Sequence, residues 1–249
     1  MTEHALVVGA GGAFGTEIAR RLVCEGLHVV GISRSSESLN PLVAEHGDRF
    51  LPIVADMADD AAVSTIATAL LSPVAMVVHA PGLPVVGGIR EAPADVLAAA
   101  VNIKVGGMLR LVRAAERRLR RGSRLVAIGG HYGFEPTDYA ATAGIANAAL
   151  ANMIRQLSWA YGRDGITAHL VAPGPADTDR LRNVAGTRAK KAGRCIEEEM
   201  AIMAEESAIG AFVDPNQVAW GVAMLLASEA DAMAGSTLFL DAGRRRGLP

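Results

Sequence analysis

Aromatic side chains are scarce in this sequence, at 4% of 249 residues. Its core must therefore be built from Ala, Val, Leu and Ile. Cysteine is nearly absent: Cys24 and Cys195 stand far apart and in no metal-ligand spacing. That excludes a disulfide scaffold and gives no metal site, and a reduced, cytoplasmic setting is the simple reading. Neither sign of charge dominates. The formal balance is −2, which gives no support for nucleic acid as the main partner. The run Arg244-Arg245-Arg246 reads as a solvated tail rather than a nucleic-acid patch. No apolar run reaches membrane-spanning length. Residues 1–4 are polar and lead straight into a strand pattern, so no signal peptide is expected. What remains is 51% apolar and 20% charged, the composition of a globular chain. Its length suits one large α/β domain spanning residues 1–249.

The most informative stretch is residues 5–34. A short apolar run, Ala5 to Val8, reads as a buried strand. A glycine-dense turn follows, with Gly9, Gly11, Gly12 and Gly15. Thr16 to Glu25 then reads as a helix, with Ile18, Ala19, Leu22 and Val23 on one face. After Gly26, the run Val29–Ile32 reads as a second buried strand. In such a unit the glycines let the backbone approach a diphosphate closely. The helix start points free N–H groups at the negative charge. The competing reading is a tight turn with no ligand.

The alternation continues. Strands are predicted at 50–54, 74–78, 124–128, 166–171 and 236–240. Helices are predicted at 61–71, 93–121, 143–161 and 215–227, with helical stretches in the polar, charged segment 175–212. Alternation of this kind means a doubly wound parallel sheet with helices on both faces. Ligands in that architecture sit outside the carboxyl ends of the strands. Gly9, Asp56, His79, Gly129 and Pro173 all fall at such ends. No linker or repeat interrupts the pattern.

In order and spacing these residues resemble the short-chain dehydrogenase/reductase family over the full length. The turn from Gly9 to Ala13-Phe14-Gly15 resembles its glycine motif, with alanine for the middle glycine. Asp56, with Met57 beside it, resembles the aspartate that contacts the adenine. His79-Ala80-Pro81-Gly82 occupies the place of its Asn-Asn-Ala-Gly signature in divergent form. Asn102 matches the helix asparagine of the proton relay. Pro173-Gly174, followed by Thr178, resembles the motif beside the nicotinamide, and Gly235 to Gly243 the closing strand. The resemblance implies a Rossmann-type fold, a nicotinamide cofactor, a small-molecule substrate and a homo-oligomer, a tetramer or dimer. It also implies cofactor contacts from Gly9, Gly11, Gly12, Phe14, Gly15, Ser33, Arg34, Asp56, Met57, Ala80, Gly82, Asn102, Pro173, Gly174 and Thr178.

The family moves its proton with a tyrosine, a lysine four residues later and a serine thirteen residues upstream. A phenol titrating near pH 10 needs that nearby cation. Tyr139 is the obvious tyrosine, yet four residues on stands Ala143. The better register aligns Asn147-Ala148-Ala149-Leu150 with the usual Lys-Ala-Ala-Leu. It puts Ala143 at the tyrosine, Asn147 at the lysine and Gly130 at the serine. All three acid–base positions are then replaced. Replacement candidates lie in the loop 130–139: His131, because imidazole titrates near neutrality, with Tyr132 and Tyr139 beside it. Ordinary loop packing is the competing reading for each. Retention of Asn102 is equally consistent with a filled helix kink.

The second predicted strand is followed by Ser33-Arg34-Ser35-Ser36. No carboxylate there repels a 2′-phosphate, and Arg34 with the serines can bind one, so NADP is favoured over NAD. A solvated loop charge is the other reading of Arg34. Residues 175–212 fall where the family places its substrate-covering helices. Ile196, Met200, Ile202, Met203 and Ile209 form an apolar lining there, or simply core. The charged set Arg180, Arg182, Arg188, Lys190, Lys191 and Arg194 precedes Glu197-Glu198-Glu199, as a lid that salt-bridges itself or as solvated surface. Three functions remain open: an NADP-linked oxidoreductase with a non-standard proton donor, a redox-silent dinucleotide-binding homologue, and a non-redox dehydratase, isomerase or cyclase.

Overall fold

A computed structural model of the chain describes residues 3–83 and 87–247. The side chain of Lys191 lies outside the described residues. Seven strands form one sheet: β1 (His4–Val8), β2 (His28–Ser33), β3 (Phe50–Val54), β4 (Val74–His79), β5 (Leu119–Ile128), β6 (Thr167–Pro173) and β7 (Thr237–Leu240). Their order is β3-β2-β1-β4-β5-β6-β7. Every neighbouring pair is parallel, from Val29↔Phe50 at one edge to Pro173↔Leu240 at the other. The order reverses between β1 and β4, and the crevice that this opens above their carboxyl ends is where a doubly wound sheet binds its ligand.

The central strands are mostly apolar because both faces are covered there, whereas edge strand β3 leaves Leu51 and Val54 exposed. Successive side chains point to opposite faces, so each strand feeds two cores. Ala5, Val7, Val29, Met76, Val78 and Val126 face one layer. That layer is closed by α1 (Ala13–Cys24), α2 (Asn40–His46) and α9 (Pro215–Met224), through Ile18, Leu22, Leu42, Val218 and Val222. Leu6, Val8, Val30, Val77 and Leu125 face the other. Over them lie α3 (Ala61–Ala69), α5 (Gly107–Ala115) and α6 (Ala141–Tyr161), through Ile66, Leu111, Leu150 and Ile154. Each fully buried side chain of this size contributes ~1.5–3 kcal/mol of transfer free energy.

The predicted helix 93–121 needs two corrections. It is α4 (Ala94–Val101) and α5 joined by a π-helical turn, Asn102–Gly106. It also ends early, because Leu119–Arg121 already belong to β5. The arginine-rich stretch has good helix propensity, but tertiary pairing overrides it. Leu119 pairs with Val74, and the Ser123 hydroxyl accepts from Arg120 N and donates to Val74 O. Gly122, at φ +89°, makes the bend. Among the described residues no helix is long and apolar enough to cross a membrane.

Candidate active site

The glycine turn sits at the end of β1. Gly9 has φ +78°, and a Cβ there would lie 2.5 Å from Ala80 O. Gly12 N donates to Gly9 O at 2.9 Å, closing the turn onto the start of α1. At Gly15 a Cβ would come within 2.0 Å of Gly9 O. This glycine therefore serves the close packing of helix on turn rather than a ligand. No side chain caps α1 and no acid stands in its first turn. Its free N–H groups and positive dipole end are left for an anion.

In front of that turn runs a groove of about 300 Å³, lined by Gly9, Gly11, Gly12, Ser33, Arg34 and Asp56, with Met57, Ala80, Pro81, Gly82 and Ile103 completing it. These residues fit a dinucleotide: a bare-backbone turn at a helix start, hydroxyl and guanidinium at the end of β2, and one carboxylate across the groove. Asp56 Oδ1 accepts from Ala58 N at 2.9 Å, which sets the loop after β3. Ser33 and Ser38 share a hydroxyl hydrogen bond of 2.7 Å. Arg34 is exposed and makes no ion pair among the described residues.

Beyond Phe14 the crevice continues into a second cavity, of about 170 Å³. Here Gly130, Ala143 and Asn147 come together, with His131, Tyr132, Tyr139, Pro173, Gly174 and Thr178. The loop after β5 brings the aromatics in as a short 3₁₀ turn, His131–Gly133. The Tyr132 and Tyr139 hydroxyls lie 2.6 Å apart. Burial, then the Tyr139 hydroxyl, pushes the Tyr132 phenol above its ordinary range, so it stays protonated. The His131 ring packs against Tyr132 at a 41° tilt, with centroids 4.0 Å apart. Burial, then the nearby Arg244 cation, lowers its pKa to about 4 although it donates to the Pro173 carbonyl. At pH 7 this imidazole is neutral and committed to that carbonyl. Asn147 is 5% exposed, and its Nδ2 would lie 2.9 Å from a Cβ at Gly130. The amide thus fills the space that a side chain at 130 would need. Its Oδ1 has no partner among the described residues.

With this geometry in view, the chain can be set beside known proteins. The family model described as Enoyl-(Acyl carrier protein) reductase matches residues 9–245. The chain belongs to the short-chain dehydrogenase/reductase family. The short-chain reductase protein NovJ of Streptomyces niveus is 27% identical over 253 residues, covering 96% of this chain and 93% of that protein. A putative ketoacyl reductase of Streptomyces coelicolor is 28% identical over 247 residues, covering 95% of each. Among solved structures, an actinorhodin polyketide ketoreductase with NADPH superposes with a TM-score of 0.88 at 26% identity, covering 98% of this chain and 97% of that one.

As a short-chain dehydrogenase/reductase the chain places most expected positions in the crevice. Phe14 lies in the second cavity rather than the dinucleotide groove. Thr178 lines that cavity too and caps the helix after it, accepting from Leu181 N. Asn102 lines neither cavity. Its Nδ2 donates to Ala58 O and its Oδ1 accepts from Arg110, while its carbonyl accepts from Gly107 N. The π-helical turn gives it those partners.

Two bases are buried behind the site: Lys104, which the sequence reading did not single out, and His79, which it placed at a strand end without seeing its burial. The Lys104 ammonium donates to Ile128 O at 2.8 Å, and burial, then Arg180, brings its pKa down to about 7. His79 is fully buried with Nε2 3.0 Å from Ile103 O, and burial, then Lys104, takes it to about 3. No periodicity marks the burial of either. A cover over the cavity is formed by α7 (Asp179–Ala192) and α8 (Ile196–Glu205). The charges there pair with one another: Arg188 with Glu199 and Glu206, and Arg194 with Glu199. The arginine run after β7 is not simply a solvated tail. Arg244 ion-pairs with Glu206 and donates to Met203 O, and Arg245 lies over the Phe239 ring at 3.9 Å. A tertiary counter-charge and a ring make those positions structural, which sequence distance concealed.

Proposed function

We propose that this chain binds NADP(H) in the groove and is an oxidoreductase of a small carbonyl or hydroxyl compound, with a non-standard proton donor. The observation that carries this reading is one cavity containing Gly130, Ala143 and Asn147 together with a paired Tyr132–Tyr139 hydroxyl. The atypical residues are thus accompanied, in the same space, by an alternative source of a proton. NADP is favoured over NAD because Arg34 and Ser33 line the groove, with no acid at the end of β2.

A dinucleotide held by Gly9, Gly11, Gly12, Ser33, Arg34 and Asp56 would supply hydride chemistry to a carbonyl in the second cavity. The developing alkoxide takes its proton from Tyr139, a stronger acid than an ordinary alcohol. Tyr139 also borders a wider cleft with Glu206 and Arg244, which gives its phenolate a route to recover a proton from solvent. Tyr132 donates to that phenolate in the interval. His131 holds the Tyr132 ring by packing against it and is a positioning residue rather than the acid. Asn102 keeps the kink between α4 and α5. Assembly as a dimer or tetramer belongs to the same reading, and Trp159, 87% exposed on α6, supports it.

The test is NADPH consumption with a panel of small ketones and oxo-esters, beside thermal unfolding with NADPH and with NADH. At one hundred times its dissociation constant, a bound cofactor adds ~2.7 kcal/mol. Tyr139→Phe should lower turnover by ~10²–10⁴ with NADPH stabilisation intact. No stabilisation by either dinucleotide overturns the reading. Stabilisation without turnover favours the redox-silent homologue, a reading supported by the absence of the tyrosine–lysine pair at 143 and 147.

A further inference from the structure

Arginines gather around the cover of the second cavity, and nearly all of them are answered. On α7, Arg182 pairs with Asp177 at 3.0 Å, and Arg188 pairs with Glu199 and Glu206. Arg194 pairs with Glu199, and Arg244 with Glu206. Arg180 is the exception. It stands exposed in the first turn of α7 with its side chain bordering the cavity, and it makes no ion pair or hydrogen bond among the described residues. Asp177, the acid that could reach back to it, is engaged by Arg182. Among the described residues no carboxylate lines the cavity. Leu181, Val184, Met203 and Phe14 make the apolar part of its wall, and Tyr132 and Thr178 add hydroxyls. Asn147, 5% exposed, lines the same cavity with its Oδ1 unpartnered, an acceptor suited to a ligand hydroxyl or N–H rather than to the anion itself.

A guanidinium at a partly apolar wall is stabilised by a planar oxyanion that accepts two parallel hydrogen bonds. Arg180 lines none of the dinucleotide groove. A substrate entering the second cavity passes along Arg180. We propose that Arg180 is a specificity-determining residue that receives the carboxylate of an oxo-acid substrate, its carbonyl toward Tyr139 and its chain along Leu181, Val184 and Met203. This rests on the oxidoreductase reading for the orientation of the carbonyl, but not for the recognition of the carboxylate.

The test uses the NADPH-loaded protein with 3-oxohexanoate and its methyl ester as probes, followed by calorimetric titration. The acid should bind at least tenfold more tightly than the ester. Arg180→Met should bring the two to parity, and Arg180→Lys should keep part of the difference. The affinity for NADPH should stay within twofold in both variants. Equal binding of acid and ester by the wild-type protein, or no binding of either, overturns the proposal. So does an Arg180→Met variant that loses NADPH affinity instead, since the arginine then serves the cofactor. If acid preference persists while no NADPH is consumed, the anion site stands and the redox reading falls.

Discussion

Lys104→Met offers a direct test of the buried cation behind the site. The lysine is 5% exposed and meets no carboxylate, and its one hydrogen bond goes to Ile128 O at 2.8 Å. Its pKa falls from 10.5 to about 7 on folding, through burial and then Arg180. At 1.36 kcal/mol per pKa unit, that fall corresponds to ~5 kcal/mol. The sign follows from proton counts. Between pH 7 and 10.5 the unfolded chain holds a proton that the folded chain has released. Stability therefore rises with pH across this window. Below pH 7 both states are charged and the penalty is present in full, and above 10.5 it vanishes. Methionine fills a similar volume without charge, but leaves Ile128 O without its donor at a cost of ~1–3 kcal/mol. The variant should then be more stable than the wild type by ~2–4 kcal/mol at pH 6, and less stable near pH 10.5. Urea unfolding of both proteins at pH 6, 8 and 10, at one protein concentration, measures the difference. A difference that does not change with pH would refute the argument, because a packing effect alone has no such dependence.

Other outcomes follow from the same structure. On the acid side, burial is the leading cause that holds His79 at about 3 and His131 and His169 at about 4 in the folded state. Their contribution is complete above pH 6.5 and is lost as pH falls toward 4. Near pH 5 unfolding should take up two to three protons, a slope of ~3–4 kcal/mol per pH unit. Calorimetry in buffers of different ionisation enthalpy counts those protons, and fewer than one would contradict the burial of these rings. At the groove, Arg34→Ala should raise the dissociation constant for NADPH about tenfold or more through loss of a charge-assisted bond, and leave NADH nearly unchanged. Fluorescence titration with both dinucleotides decides it, and equal weakening of the two would place Arg34 elsewhere than on a 2′-phosphate.

Much of the fold was legible because the relevant forces are local. Val29–Ile32 is a run that only a sheet covered on both faces can bury, and the structure keeps it and the edge run Phe50–Val54 as strands almost residue for residue. The glycine turn was legible for a related reason: Gly9 must hold φ +78° against Ala80 O, a demand that restricts the residue type itself. The end of α5 was not. Nothing near Arg117–Arg121 announces that Val74 will pair with Leu119. At the site, the register that moved attention from Tyr139 to Ala143 and Asn147 was visible in spacing, and the structure brings 130, 143 and 147 into one cavity.

The sequence by itself determined the layering, the strand ends that face the crevice and the family, since these depend on periodicity and on residue types at fixed offsets. Tertiary structure alone decided which charges are answered. Arg244 finds Glu206 from 38 positions away, Lys104 is drawn under β5 without a counter-ion, and Arg180 is left facing a partly apolar wall. The physical reason is that ionisation and pairing depend on distance and burial in space, which a linear order of residues does not contain.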